Sequence, residues 1–251
     1  MRKDIKKINN RFVFALILVG FFLSMFTMSN RIRDSHLNDD MKNVIVDSCV
    51  KIHIGDGAGS GVIVQNSGEE IKVLTCSHLF MMPSSEECPL TTQPALPKLI
   101  EVSIYKNGKL FYPKLEATIE SYRQGIDLAL LNVRIKDKSI KTAKLIPGNL
   151  ILDIERFDDV FCVGFPGHTT HTYVSNGIMA SINHRSQYWS CNAPIAPGYS
   201  GGGVFTIIGK DLYLIGLNNQ IGFNGGNIYE CQMDFVSPIA IHHFMDNVCK
   251  D

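Results

Sequence analysis

The run APIAPGYSGGGVF, residues 193–205, decides how this chain is read. Ser200 follows Gly198 and Tyr199 and precedes three glycines, so the run spells Gly-x-Ser-x-Gly. Glycine adopts backbone conformations that other residues resist, which suits a hydroxyl that backbone and ligand must both approach. Two nucleophile chemistries share this spelling. In one, the serine sits on a sharp strand-to-helix turn and its partners follow in the order Ser, acid, His. In the other, the order is His, Asp, Ser.

The rest of the chain separates them. After Ser200 comes GGGVFTIIGKDLYLIGL, three glycines and a β-rich run, which is poor helix material. The only later histidines, His242 and His243, fall in a short terminal segment. Upstream, VLTCSHLF places His78 at the end of an apolar run, and QGIDLALLNV places Asp127 at the head of another. The order is therefore His78, Asp127, Ser200. Each element alone is weak, since a histidine after a strand or an aspartate before one is commonly a loop residue. Their ordered combination on a β-rich background carries the weight.

That background comes from short apolar stretches with alternating, β-branched character, including SGVIVQN, IKVLTCSH, LIEVSIY, DLALLNVRI and DVFCVGF. Glycine, asparagine and proline punctuate them at residues 55–59, Asn107-Gly108, Pro147-Gly148 and 224–226. The spacing predicts an all-β barrel or sandwich. One helix is expected near the end, with Ser237 as N-cap, Pro238 in its first turn and IAIHHFMDNV as its body.

The N-terminus stands apart. Arg2, Lys3, Lys6, Lys7 and Arg11 face one acid, Asp4, and residues 12–28 (FVFALILVGFFLSMFTM) carry no charge. That length is just sufficient for a transmembrane helix, and its basic flank places the tail in the cytoplasm. The expected organisation is a basic tail (1–11), a transmembrane signal anchor (12–28), a polar linker (29–42) and one extracytoplasmic domain (43–251). A cleaved signal peptide, with Thr27 and Ser29 as the small residues of its site, is the alternative and would give a secreted protein. The 24 basic and 24 acidic residues balance, so nothing favours a nucleic-acid partner. Seven cysteines lack any Cys-x-x-Cys, which leaves zinc chemistry without support. Cys76 and Cys162, inside apolar runs, read as buried thiols. His168 and His171 in PGHTTHTY have no evident third ligand, so they read as loop residues near the site. No metal and no cofactor is expected.

In chain order, GAGSGVIV (57–64), VLTCSHLF, IDLALLNV, DVFCVGFPG, SNGIMASI, PGYSGGGVF, LIGLNN and DFVSPIAIHHFMDNV resemble the motifs of trypsin-like (chymotrypsin-fold) serine proteases, nearest to the HtrA/Deg protease domain. The resemblance spans about residues 43–249. It implies a double six-stranded β-barrel, hydrolysis of peptide bonds, and a polypeptide as the partner. It implies Ser200 as nucleophile, His78 as base, Asp127 as the acid that orients it, and the backbone N–H groups of Gly198 and Ser200 as the oxyanion hole. It also implies a specificity pocket lined by Pro194, Ile195, Ala196, Leu217, Asn218, Asn219 and Gln220. No acid lies among these, so a small or medium neutral side chain is expected there, with the asparagines as a source of polarity.

HtrA-type domains are commonly trimeric, and a trimer is the oligomer the resemblance implies. Their usual PDZ domain is not expected, because the sequence stops at Asp251. Tyr199 stands where relatives carry Asp or Asn, which raises a second reading: a peptide-binding pseudoprotease with a distorted oxyanion hole. A viral or phage processing protease is a third.

Overall fold

The computed structural model describes residues 37–80, 99–167, 169–224 and 227–248. The charge-free run 12–28, expected to span a membrane, lies outside them. Among the described residues no helix is long and apolar enough to cross a membrane.

Two closed antiparallel barrels of six strands each build the described unit. The first contains β1 (Cys49–Ile54), β2 (Gly57–Asn66), β3 (Glu70–Thr75), β4 (Ile100–Lys106), β5 (Lys109–Arg123) and β6 (Leu128–Arg134), in the order β1-β2-β3-β6-β5-β4. The second contains β7 (Asp159–Gly164), β8 (Tyr173–Ser181), β9 (Tyr188–Cys191), β10 (Gly203–Ile208), β11 (Asp211–Asn224) and β12 (Asn227–Val236), in the order β10-β11-β12-β9-β8-β7. Closure leaves no open sheet edge, so each barrel satisfies its own ladder.

Each barrel has its own apolar filling. Val50, Ile52, Ile63, Val73, Val102 and Leu131 pack within the first, and Val160, Met179, Trp189, Val204, Ile215 and Phe235 within the second. A third cluster joins residues of both barrels, including Val62, Leu74, Tyr105, Leu128, Phe165, Phe205 and Leu217. The Tyr105 and Phe165 rings, one from each side, lie 4.8 Å apart by centroid. Burying side chains of this size stabilises by roughly 1.5–3 kcal/mol each, so the barrels are clamped across the seam that holds the site.

Two helices flank the barrels. α1 (Asp39–Asp47) begins within the stretch read as polar linker. Asn38 caps it by accepting from the Met41 N–H (2.9 Å), and Asp39 and Asp40 sit at its positive end. α2 (Pro238–Val248) lies where the sequence places a terminal helix, and the Ser237 hydroxyl accepts from the Ala240 N–H (3.3 Å). Cys49, Cys76, Cys162 and Cys191 are free and buried.

Candidate active site

His78 and Asp127 meet because β3 and β6 pair in register. Thr75 at the end of β3 faces Ala129 near the start of β6, so the residues just beyond each strand end share one corner. His78 rides on the 3-10 turn Ser77–Phe80. Asp127 follows the 3-10 turn Gln124–Ile126 and holds a left-handed backbone (φ 52, ψ 47). Asp tolerates that conformation better than most residues, and it aims the carboxylate back at the turn.

The carboxylate of Asp127 is saturated by donors. His78 Nδ1 lies 2.7 Å from Oδ2, and the Asn219 side-chain amide donates to the same oxygen at 2.5 Å. The backbone N–H of His78 (2.7 Å) and the Ser77 hydroxyl (3.0 Å) donate to Oδ1. Burial alone would raise the Asp127 pKa. The hydrogen bonds from His78 and Ser77, with the His78 charge, outweigh it and hold the carboxyl below its ordinary value. The carboxylate is nearly enclosed (side chain 12% exposed), whereas the imidazole is open to solvent (43%).

Ser200 comes from the second barrel, in the loop between β9 and β10. Its loop is fixed at several points. Gly201 N–H donates to Asn218 O (2.8 Å), Asn218 N–H to Gly202 O (2.7 Å), and Ser60 N–H to Ser200 O (2.9 Å). The Ser200 hydroxyl donates to Asn219 O at 3.3 Å, and no hydrogen bond joins it to His78. Among the described residues the N–H groups of Gly198 and Ser200 have no acceptor. Tyr199, between them, is buried, with its ring packed on Gly164, where a Cβ would come within 2.9 Å.

Two glycines of the loop combine a positive φ with a close approach that leaves no room for a Cβ. Gly198 (φ 102) has Phe165 O 2.3 Å from where a Cβ would stand. Gly201 (φ 84) has Ser60 O and Thr75 Oγ1 both at 2.2 Å from that point. A Gly201→Ala chain therefore meets a forbidden backbone region and two buried polar atoms together. The expected loss of stability is about 4 kcal/mol or more. A denaturant titration showing a loss under about 1 kcal/mol would contradict this packing.

The residues named for the specificity pocket separate into two groups. Pro194 is exposed, and Ile195 and Ala196 are half-buried, so they line the surface near Ser200. Leu217 is fully buried within the apolar seam. Asn218 is fully buried too, its amide donating to Val163 O at 2.9 Å. Asn219 spends its amide on Asp127. The side chain of Gln220 lies outside the described residues, as does His168. His171 is exposed.

The role of Asn219 as a donor to the acid was not read from sequence, where Asn219 figured only as pocket lining. Its signal is the polar pair Asn218-Asn219 directly after the apolar run LIGL inside β11. The roles of Ser60, in GAGSGVIV, and Ser77, in VLTCSHLF, have no signal in the sequence beyond a polar residue within an apolar run.

Cys76 Sγ, with ligand-type atoms of His78 and Asp127, forms a set within 4.8 Å. The set fits a metal poorly. Both carboxylate oxygens already accept two hydrogen bonds, and the thiol donates to Asn218 O at 3.3 Å. Burial, and then the neighbouring Asp127 charge, push the thiol pKa well above its ordinary value, so the thiolate a metal needs is disfavoured.

Asn219 thus links a hydroxyl in a glycine-bound loop to a His–carboxylate pair, its carbonyl taking the Ser200 hydroxyl and its amide donating to Asp127. No curated protein matches the sequence. The model of the trypsin-like peptidase domain matches residues 59–217, well over half of the chain. Its span runs from the strand that carries Ser60, through His78, Asp127 and Ser200, to Leu217 on β11, and the chain belongs to the trypsin-like peptidase family.

Proposed function

We propose that this peptidase is a serine endopeptidase, with Ser200 attacking the scissile carbonyl, His78 serving as base and then acid, and Asp127 holding the imidazole. A serine hydroxyl is a weak nucleophile near neutral pH and needs a base beside it. Asp127 accepts the Nδ1–H of His78, which leaves Nε2 as the proton acceptor and stabilises the imidazolium that follows. The proton then passes to the leaving amine, and water repeats the sequence on the acyl-enzyme. The oxyanion of each tetrahedral intermediate is bound by the Gly198 and Ser200 N–H groups. The observation that carries this reading is the carboxylate of Asp127, which takes four donors including His78 Nδ1 and so fixes tautomer and orientation together.

The bond from Ser200 to Asn219 O, in place of one to His78, is a resting arrangement that substrate must change. Catalytic hydrogen bonds commonly tighten only with substrate bound. The burial of Tyr199 against Gly164 supports an undistorted loop. In the same reading, the charge-free run 12–28 tethers the peptidase to a membrane on its outer side, where Pro194, Ile195 and Ala196 select a neutral side chain.

Reaction of the full chain with a fluorophosphonate tests the proposal. Fluoride leaves as a Ser–O–P bond forms, and mass spectrometry of the digest should place the label on Ser200. A folded chain that takes no label, or takes it elsewhere, would favour a peptide-binding protein that does not turn over.

A further inference from the structure

Ser60 sits on β2, completely buried, and spends its polar groups on the opposite barrel's serine loop and its support. Its hydroxyl donates to Gly198 O (2.7 Å) and accepts from Phe165 N–H (2.9 Å). Its own N–H donates to Ser200 O (2.9 Å), and its carbonyl accepts from the Thr75 hydroxyl (2.7 Å). The outer support is fixed as well. Lys51, the register partner of Ser60 on β1, donates its ammonium to Thr169 O (2.8 Å) in the loop after Phe165.

The peptides on the two sides of Gly198 are held by separate bonds. A trans peptide points its C=O and N–H in opposite directions. The carbonyl of Pro197 is held by Gly167 N–H at 2.7 Å, so the Gly198 N–H is aimed away from Gly167. The next carbonyl, that of Gly198, is held by the Ser60 hydroxyl, which aims the Tyr199 N–H at Ala196 O (3.0 Å). Gly198, at φ 102, has the freedom to let either peptide rotate. Rotation of the first would put a carbonyl where the oxyanion must bind. The Gly167 N–H holds the first peptide, and from across the barrel seam the Ser60 hydroxyl holds the second, so the Gly198 pivot is fixed on both sides.

We propose that Ser60 is a positioning residue for the oxyanion hole, acting through Gly198 and touching no substrate atom. The inference rests on the catalytic reading above. Removing the hydroxyl leaves Gly198 O without a donor and Phe165 N–H without an acceptor, both in a buried place, so the loop gains reason to rearrange. The Ser60 N–H to Ser200 O bond is a backbone bond and survives, so the fold is retained.

The test compares full-length wild type, Ser60→Ala and Ser60→Thr. In Ser60→Ala, kcat on a fluorogenic peptide should fall about 10- to 100-fold with KM within about twofold, because the loss is felt when the oxyanion forms. Affinity for a peptide boronic acid, which places an oxygen in the hole, should fall in parallel. Ser60→Thr, which keeps the hydroxyl, should recover most of both. A kcat for Ser60→Ala within about twofold of wild type overturns the proposal. A second readout needs no turnover: in chains labelled with 15N-glycine, the Gly198 amide resonance must move in Ser60→Ala and return in Ser60→Thr. An unmoved resonance overturns the proposal whatever the activity. A moved resonance in a chain whose wild type is inactive supports the clamp and strikes the catalytic reading instead.

Discussion

Ser200→Ala should lower hydrolysis of a fluorogenic peptide by about 10⁴- to 10⁶-fold, with KM little changed. The size follows from the chemistry, since alanine has no atom to form the acyl bond and the remaining groups then assist only water. The oxyanion donors are backbone N–H groups and survive the substitution, which is why a residue of rate enhancement should persist. The fold should survive as well. The Ser200 carbonyl, not its side chain, makes the bond to Ser60, and the hydroxyl contributes only a 3.3 Å contact to Asn219 O. Loss of so long a bond at a half-buried site should change stability by less than about 1 kcal/mol. Steady-state kinetics beside a thermal melt check both halves. Activity within tenfold of wild type would remove Ser200 from the nucleophile's role, and a large drop in melting temperature would make the loss of activity a folding effect.

The separation of effects at Ser200 also shows why its loop was legible in sequence while its surroundings were not. The glycines advertise the loop because positive φ and close approach exclude other residues at 198 and 201. The order His78, Asp127, Ser200 is legible because His78 ends one apolar run, Asp127 heads another and glycines mark the loop of Ser200, and strand ends are where a barrel gathers its loops. What the run of letters hides is the partner of each polar group. Asn219 reads as a pocket residue until pairing across the seam brings its amide to Asp127.

Strands were missed where local chemistry opposes them. β5 contains Pro113 and many exposed side chains, so it lacks the apolar run that marks the other strands. In the fold, Pro113 sits at a register break opposite Ser103, where no ladder N–H is needed, and the Lys114 N–H turns to the Ser103 hydroxyl at 3.1 Å. β9 has only four residues, Tyr188–Cys191, too few to show alternation. Conversely, the β-branched run VIVDSCVKIHI is divided at Ser48, because Asn38 and the two acids after it start a helix that carries through Asp47. A strong cap outweighed β-branched residues at its far end.

Asp127→Asn tests the other half of the site, and its effect should approach that of losing the nucleophile, about 10⁴-fold in kcat. All four groups around the carboxylate are donors: Ser77 Oγ, the His78 N–H, His78 Nδ1 and the Asn219 amide. An asparagine must present its own NH₂ to two of them. If the NH₂ faces His78, it favours the tautomer with the proton on Nε2, which cannot accept from Ser200. If it faces Ser77 and the His78 backbone, a buried donor is left against donors, at a cost of about 1–3 kcal/mol. The pH dependence separates charge from geometry. The folded carboxyl of Asp127 is held below its ordinary value, so its contribution to stability is present above the unfolded pKa, near pH 4, and is lost as pH falls through the folded one. The asparagine variant should therefore be less stable than wild type at neutral pH, and the gap should narrow as both are taken below about pH 4. Denaturant titrations at several pH values measure this directly, and a gap that stays constant down to acid pH would mean that the ionised carboxylate of Asp127 is not what holds His78 in place.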